Sequence, residues 1–324
     1  MYPQVYQRPG DPYTYLFVGG QWFCFNPAET PLGEGAMGTV FLGFSCTDNQ
    51  RVAVKRVRDQ YANIPAIRQR ARQEASLSSL SHPNLVHMIG MCEYAPDHGP
   101  IYILSGYISG ITLGKHVKEQ LSGLSPADRV DKISLEMCNV LDALQYLHSH
   151  GVLHRDIKPS NIMIENGTTV KLMDLGIARM NGKNRFSTIG FIGTPQYAAP
   201  EQILSESDHS ELTERTDIYS LGVTFYELLT GTNPFLSEIE ADVLSRQVTK
   251  PLPYDRVIPR PLFRVLRKAT EKDPQKRYKT AMEFKMAILD ALRNVTPSPS
   301  WLTRILYALG ILIVIAIIIL ILLY

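Results

Sequence analysis

Short apolar runs dominate the chain between Pro31 and about Tyr107. The runs TVFLGF, RVAVKRV and IYIL, which begin at residues 39, 51 and 101, are rich in β-branched and aromatic residues, and this composition predicts strands. One longer stretch among them, about 64–80, has helix-like spacing of its apolar residues. This part of the chain is therefore expected to form a small sheet with one helix.

The pattern becomes helical after about Leu113. The segment DKISLEMCNVLDALQYLHS, residues 131–149, places apolar side chains three and four residues apart, which gives a helix one buried face. Similar spacing predicts helices at 217–230, 261–270 and 280–293. A small sheet followed by a mainly helical part predicts the α+β class.

Residues 1–27 form an aromatic-rich extension before this sheet. In YTYLFVGGQWFCF, residues 13–25, Gly19 and Gly20 separate two strand-like runs, and adjacent glycines are typical of a hairpin turn. The extension is either a strand pair that covers the flank of the sheet or a docking surface for a partner. We favour the strand pair.

The far end of the sequence carries one continuous apolar run. Residues 305–323 are 19 residues without a charge, and at ~1.5 Å per residue such a helix nearly crosses a hydrocarbon core ~30 Å thick. The alternative is a buried core helix or an aggregation-prone strand, but few soluble cores bury a helix that is apolar on every side. Arg293 and Arg304 precede the run and only Tyr324 follows it, which predicts a tail anchor with the large domain in the cytoplasm. The Pro- and Ser-rich segment 294–304 is expected to link the two.

Composition and charge exclude several classes of protein. The 324 residues are 45% apolar and 20% charged, which excludes disorder and allows one large domain or two small ones. Thirty-three Lys and Arg against 31 Asp and Glu leave a net charge of +2, so no basic field for nucleic acid exists. The four cysteines form no CxxC pair, which favours reduced thiols over a zinc site or a disulfide framework.

The first candidate for chemistry is the glycine pattern Gly33, Gly35 and Gly38 in LGEGAMGTV. This spacing alone is weak evidence, because it leads from a strand into a helix in dinucleotide-binding folds but joins two strands in protein kinases. Here a strand-like run follows, and VAVK places Lys55 on the next predicted strand, seventeen residues after Gly38. At this point the chain resembles the protein kinase family.

The resemblance implies that Lys55 holds the α- and β-phosphates of ATP and is fixed by an acidic partner. Between Asp59 and Glu93 the sequence offers only Glu74, on the predicted helix. The interval from Glu74 to His82 is about one residue shorter than is usual in the family, which predicts a tightened helix end.

The strongest resemblance is HRDIKPSN, residues 154–161. It implies that Asp156 accepts or orients the proton of the attacking hydroxyl, that Lys158 neutralises charge on the transferred phosphoryl group, and that Asn161 helps hold magnesium. Eighteen residues after Asp156, Asp174 in DLG would supply the carboxylate for the metal. Lys158 with the following Pro159 resembles serine/threonine kinases rather than tyrosine kinases.

Structural roles are implied around GTPQYAAPE, residues 193–201. By resemblance, Thr194 contacts the catalytic Asp and Lys, Glu201 pairs with Arg277, and Asp217 accepts backbone N–H groups of the catalytic loop. For Glu201 and Asp217 taken singly, the alternative is an ordinary surface ion pair of little energetic value.

Arg155 stands beside the catalytic carboxylate and could pair with a phosphorylated residue of the activation segment. The candidates are Ser187 and Thr188, and our hypothesis is autophosphorylation at Thr188.

The resemblance also implies the adenine site. The base would lie near Leu32, between Val40 and Ala53 above and Met163 below, with Leu104, Ser105, Gly106 and Tyr107 at the connection between the lobes.

The resemblance covers residues 28–293 and implies a two-lobed kinase fold, ATP with Mg²⁺ or alternatively Mn²⁺, and transfer of phosphate to Ser or Thr of protein substrates. The sequence motifs are most similar to those of bacterial members of the family. The expected partners are ATP, protein substrates and, through 305–323, a lipid bilayer, without nucleic acid; a homodimer stays open. The rival hypotheses are a membrane-tethered pseudokinase and a scaffold that binds partners without phosphate transfer.

Overall fold

The computed structural model describes residues 4–35, 38–174, 186–187, 190–191, 195–204 and 212–293. Within these ranges no helix is both long and apolar enough to span a bilayer. The predicted membrane segment 305–323 and its linker 294–304 lie outside the described residues.

Strands supply most of the first third of the chain. Those of the small lobe are β1 (Val5–Gln7), β2 (Thr14–Val18), β3 (Gln21–Phe25), β4 (Gly33–Glu34), β5 (Gly38–Ser45), β6 (Arg51–Val57), β7 (Met88–Glu93) and β8 (Ile101–Gly106). Later come β9 (Gly110–Thr112), β10 (Ile162–Glu165), β11 (Thr169–Leu172), β12 (Phe186–Ser187) and β13 (Gly190–Phe191).

Helices build most of the rest. They are α1 (Asp59–Ala62), α2 (Pro65–Ala75), α3 (Leu113–Glu119), α4 (Pro126–Ser149), α5 (Pro200–Leu204), α6 (Glu214–Thr230), α7 (Glu240–Thr249), α8 (Arg260–Ala269) and α9 (Ala281–Arg293). The predicted helices are confirmed, with α4 and α6 starting earlier than expected. The predicted tightening after Glu74 is also confirmed, because the chain leaves α2 through a 3₁₀ turn at Ser76–Ser79.

The small-lobe sheet is antiparallel, with the order β1-β2-β3-β5-β6-β8-β7 and with β4 paired to β5. The predicted hairpin of the extension is β2–β3, which turns at Gly19 and Gly20, both at positive φ. The favoured prediction of a strand pair is confirmed, but this pair does not pack over the flank of the sheet. It lengthens the sheet instead, because β3 pairs with β5 through Phe23 to Phe25 and leaves β2 and β1 farther out.

This longer sheet curls until β2 lies against β7. Gly90 in β7 lacks a side chain where Val18 of β2 approaches, since a Cβ at Gly90 would lie 2.8 Å from a Val18 methyl carbon. The Gln4 side chain also accepts the backbone N–H of Glu93, at 3.3 Å. The curl encloses a second small core, which is separate from the main core and consists of Leu16, Val18, Phe23, Phe25, Phe41, Val52, Val54, Cys92, Tyr102 and Leu104.

The main core runs from the α2 side of the sheet into the large lobe. Helix α6 contributes to this core, and 13 of its 17 residues are buried. The helix is fixed at both ends, because Thr213 and Thr216 form a capping box and Gly231 takes the left-handed conformation after the last turn. This helix carries Asp217, so its position decides where the catalytic loop can lie.

Candidate active site

The glycine-rich segment is a turn between two strands. Gly33 and Glu34 in β4 pair with Val40 and Thr39 in β5, and the Gly35 N–H donates to the Gly38 carbonyl at 2.9 Å. Gly38 is required by close approach, since a Cβ there would lie 2.4 Å from the Arg56 carbonyl oxygen. The strand-to-helix geometry of a dinucleotide fold is therefore excluded.

Lys55 reaches from the small lobe to the carboxylate of Asp174. Its Nζ lies 3.0 Å from Asp174 Oδ1. The positive charge of Lys55 is the largest influence on this carboxyl and holds its pKa below the usual value, although burial acts in the opposite direction. The side chain of Glu74, the predicted partner of Lys55, lies outside the described residues, although its position in α2 is defined.

The side chains of Lys158 and Asn161 both contact the carboxylate of Asp156 in the catalytic loop. Lys158 Nζ lies 2.9 Å from Asp156 Oδ2, and Asn161 Nδ2 donates to the same oxygen at 3.0 Å and to the Asp156 carbonyl at 2.8 Å. The Met173 N–H donates to the Asn161 carbonyl at 2.9 Å, which brings Asp174 beside this cluster. The site therefore combines two ammonium groups, two carboxylates and one amide.

Buried His154 joins the catalytic loop to the strand segment before Asp174. Its Nε2 donates to the Met173 carbonyl at 3.0 Å, and its Nδ1 accepts the Asp156 N–H at 3.3 Å. One nitrogen donating and the other accepting is the pattern of a neutral imidazole. Burial lowers the pKa of His154, which favours the same form.

The carboxylate of Asp217 binds the backbone of the catalytic loop. Its Oδ2 accepts the His154 N–H at 2.8 Å and its Oδ1 accepts the Arg155 N–H at 2.7 Å. Arg155 has a φ of 65°, a strained value for a residue with a side chain. Burial is the largest single influence on Asp217 and acts to raise its pKa, but the hydrogen bond from His148, 2.8 Å away, the nearby histidine charges and the Arg155 N–H together lower the pKa.

The Glu201–Arg277 ion pair lies inside the large lobe. Arg277 donates from Nη1 and Nη2 to the two carboxylate oxygens at 2.7 and 2.9 Å, and Thr216 donates to the same carboxylate at 2.9 Å. Both residues are buried. The surface ion pair that was the alternative is therefore excluded.

The residues predicted to contact adenine lie on both lobes. Val40 and Ala53 are partly buried on β5 and β6, Met163 is partly buried on β10, and Leu32 is 47% exposed. Leu104 is fully buried within the small core, so its side chain cannot meet a base and only its backbone could. Ser105, Gly106 and Tyr107 are partly buried.

The predicted activation segment is described only in part. Thr188 and Thr194 lie outside the described residues. Ser187 belongs to β12 and pairs with Gly190 of β13. The Arg155 backbone is fixed by Asp217 and, through its carbonyl, by Gln202 Nε2 at 3.1 Å.

The side chains at the cleft fit the metal and nucleotide that the resemblance implies. Asp174 and Asn161 offer carboxylate and amide oxygens, the donors that Mg²⁺ prefers, and Lys55 offers an ammonium group for phosphate oxygens. Two protein ligands are enough, since Mg²⁺ at such sites is completed by phosphates and water.

Sequence reasoning missed several contacts that shape this site. His148, Gln202 and Glu227 were not singled out, yet they bond Asp217, Arg155 and Tyr197 respectively. The partners are 30 to 69 residues apart, and no spacing rule links them. Gln202 follows directly after Glu201, which is the one signal that could have drawn attention to it.

Comparison with known proteins agrees with this geometry. A family model described as the protein kinase domain matches residues 28–287. The chain belongs to the protein kinase family. Serine/threonine-protein kinase PknB of Mycolicibacterium smegmatis is 36% identical over 283 residues, which is 84% of this chain and 44% of that protein. PknB of Mycobacterium tuberculosis H37Rv is 35% identical over 282 residues, again 84% and 44%.

The likeness to relatives concerns less than half of their length. The probable serine/threonine-protein kinase SCO3848 of Streptomyces coelicolor is 36% identical over 79% of this chain and 38% of that protein. Among solved structures, the kinase domain of Mycobacterium tuberculosis PknI superposes with a TM-score of 0.63 at 24% identity, covering 90% of this kinase chain and 99% of the other. This likeness shows the two-lobed fold.

Removing Arg277 tests the energetic weight of the buried ion pair. We expect Arg277→Met to lower the free energy of unfolding by about 3–5 kcal/mol, because the Glu201 carboxylate would stay buried without its cation. The double variant Glu201→Gln/Arg277→Met should recover part of this loss. Urea denaturation measures both.

The matched control is Arg293→Met, since Arg293 makes an exposed pair with Asp290 at 3.5 Å. Its expected cost is about 0–1 kcal/mol. Equal losses for Arg277→Met and Arg293→Met would contradict a special weight for the buried pair.

Proposed function

We propose that this chain is a serine/threonine protein kinase that transfers the γ-phosphate of ATP to Ser or Thr hydroxyls of protein substrates. The observation that carries the proposal is the meeting of Lys55 with Asp174, 3.0 Å apart, beside the Asp156, Lys158 and Asn161 cluster. Complementary charges for a triphosphate, a metal and a reacting hydroxyl thus lie in one cleft.

In this proposal Asp156 acts on the acceptor hydroxyl. Its carboxylate orients the hydroxyl and takes its proton as the oxygen attacks the γ-phosphorus and the bond to the β-phosphate oxygen breaks. Lys158, 2.9 Å from this carboxylate, is placed to neutralise charge on the phosphoryl group. Asn161 donates to the same carboxylate and keeps it oriented. A bound Mg²⁺, held by Asn161 and Asp174, would offset negative charge on the phosphates.

Lys55 and Glu74 complete the nucleotide site in this proposal. Lys55 would exchange part of its contact with Asp174 for the α- and β-phosphates, with Glu74 as the group that fixes its ammonium. The glycine-rich turn would lie over the phosphates, with Leu32, Val40, Ala53 and Met163 around the base. The serine/threonine choice is supported by Lys158-Pro159 in the loop and by the names of the relatives.

We also propose that the kinase is anchored in a membrane. Residues 305–323 form an uncharged apolar run, and residues 294–304 would link it to the domain, which we place at 28–293. Arg293 and Arg304 favour a cytoplasmic side for the domain, where ATP is available. The proposal is compatible with a homodimer as well as with a monomer.

The rival function is a pseudokinase or scaffold, and phosphate transfer separates the two. We expect the full chain with Mg²⁺ and labelled ATP to phosphorylate a generic basic acceptor protein. Lys55→Met, Asp156→Asn and Asp174→Ala should each lower the rate by at least about 100-fold, because each removes a charge that the transition state needs. Mass spectrometry of the same reactions should find Thr188 phosphorylated in the wild type and unmodified with Asp156→Asn.

The controls are Lys115→Met and Asp97→Asn, two exposed residues outside the cleft. They should keep the rate within about twofold, because exposed pairs such as Lys115–Glu119 and Asp97–His98 carry little energy. A folded wild type that binds ATP and labels no acceptor would establish the pseudokinase instead. An unmodified Thr188 in the active enzyme would remove only the autophosphorylation hypothesis.

Membrane anchoring is tested by removing residues 294–324. The full chain should stay in the membrane pellet after an alkaline carbonate wash, because only a spanning segment resists that treatment. The truncated chain should move to the supernatant with its acceptor phosphorylation intact. Release of the full chain by the wash would refute the anchor.

A further inference from the structure

Helix α7 turns one polar side chain toward the interior of the large lobe. Gln247 is 0% exposed, and it faces the short 3₁₀ turn Pro195–Tyr197 that precedes α5. Burying an amide is costly unless all of its groups are hydrogen-bonded. Its contacts therefore show what the surrounding structure demands of it.

The amide of Gln247 is held in a single orientation. Nε2 donates to the carbonyls of Gln196 and Pro195, at 2.5 and 3.3 Å, and Oε1 accepts the Tyr219 hydroxyl at 2.5 Å. The two carbonyls can only accept, so the nitrogen must face them. The Gln196 carbonyl also receives Asn233 Nδ2, at 3.3 Å.

Tyr219 joins this amide to two cationic side chains, Lys272 and Arg277. Its hydroxyl accepts Lys272 Nζ at 2.6 Å, and its ring lies under the Arg277 guanidinium, 4.8 Å from the ring centroid. Arg277 is also the partner of Glu201. Contacts thus run from the buried Glu201–Arg277 pair through Tyr219 to Gln247, and from Gln247 to the turn at 195–197.

The same turn lies beside the proposed catalytic aspartate. Gln202 donates to the Arg155 carbonyl at 3.1 Å and accepts the Ala199 N–H at 2.9 Å, which ties the chain after the turn to the residue before Asp156. Helix α6 also holds both segments, since Ser220 donates to the Tyr197 carbonyl at 2.7 Å and Thr224, one turn later, donates to the Ile157 carbonyl at 3.3 Å. The turn and the loop that carries Asp156 are thus held next to each other, and residues 195–197 are placed where an acceptor peptide that reaches Asp156 would contact them.

We propose that Gln247 is a positioning residue that sets the affinity for the acceptor protein by fixing the backbone of residues 195–197. The inference rests on the proposed kinase function. Without the Nε2 donor, two carbonyls lose a buried partner and the turn shifts to find another. The surface that meets the acceptor changes, whereas the nucleotide site, built on other elements, does not.

The test compares Gln247→Glu and Gln247→Leu with the wild-type full chain, using myelin basic protein as acceptor. Glutamate keeps the shape but places an oxygen against the carbonyls, and leucine keeps the bulk without any donor. We expect KM for the acceptor to rise about tenfold, with kcat and KM for ATP within about twofold. Calorimetric affinity for the acceptor, measured without turnover, should fall by the same factor.

The matched control is Ser134→Ala, which removes a buried hydrogen bond, from Ser134 to the Val130 carbonyl at 2.7 Å, on α4. It should lower stability and leave the acceptor KM unchanged. A fall in kcat alone in the Gln247 variants, or an unchanged acceptor KM and affinity, would overturn the positioning role.

The affinity measurement separates this proposal from the kinase function. A wild type that binds the acceptor but transfers no phosphate would refute the kinase function, and the affinity ratio of the Gln247 variants would still decide the positioning role. A wild type that neither binds nor phosphorylates the acceptor would overturn both.

Discussion

The carboxylate of Asp217 is the point on which the geometry of the active cleft depends. It is fully buried on α6 and accepts the backbone N–H groups of His154 and Arg155. Those two bonds keep Arg155 at a φ of 65°, and this bend directs Asp156 toward Lys158 and Asn161. His148 and the rigid helix thus support a strained loop that no local propensity would hold.

Opposite charges then join the two lobes across the cleft. Lys55 on β6 meets Asp174, whose place is set by the Met173 N–H bond to Asn161 and the Met173 carbonyl bond to His154. Met173 therefore joins the segment before Asp174 to the catalytic loop through both its N–H and its carbonyl. The small lobe adds stability of its own, because its longer curled sheet encloses a second core.

Much of this arrangement was predictable from the sequence. Long periodic helices such as α4 and α9, strand β6 and the Gly19-Gly20 hairpin follow from local patterns, and the ordered motifs predicted the contacts of Asp217 and of Glu201 with Arg277. The curl that brings β2 to β7 was not predictable, because it depends on Gly90 meeting Val18 far away in the chain. Gln247 was missed for the same reason, since a glutamine in a helix is usually exposed and only tertiary packing buries it.

The central claim is that Asp217 maintains the active shape of the catalytic loop, and the Asp217→Asn variant tests it most directly. Asparagine keeps the size but has one acceptor oxygen for two N–H donors, so the loop should shift, and misplacement of about 1 Å can cost about 100-fold in rate. We predict that kcat falls by at least about tenfold while the affinity for ATP changes less than about threefold. A folded variant with wild-type kcat would contradict the account.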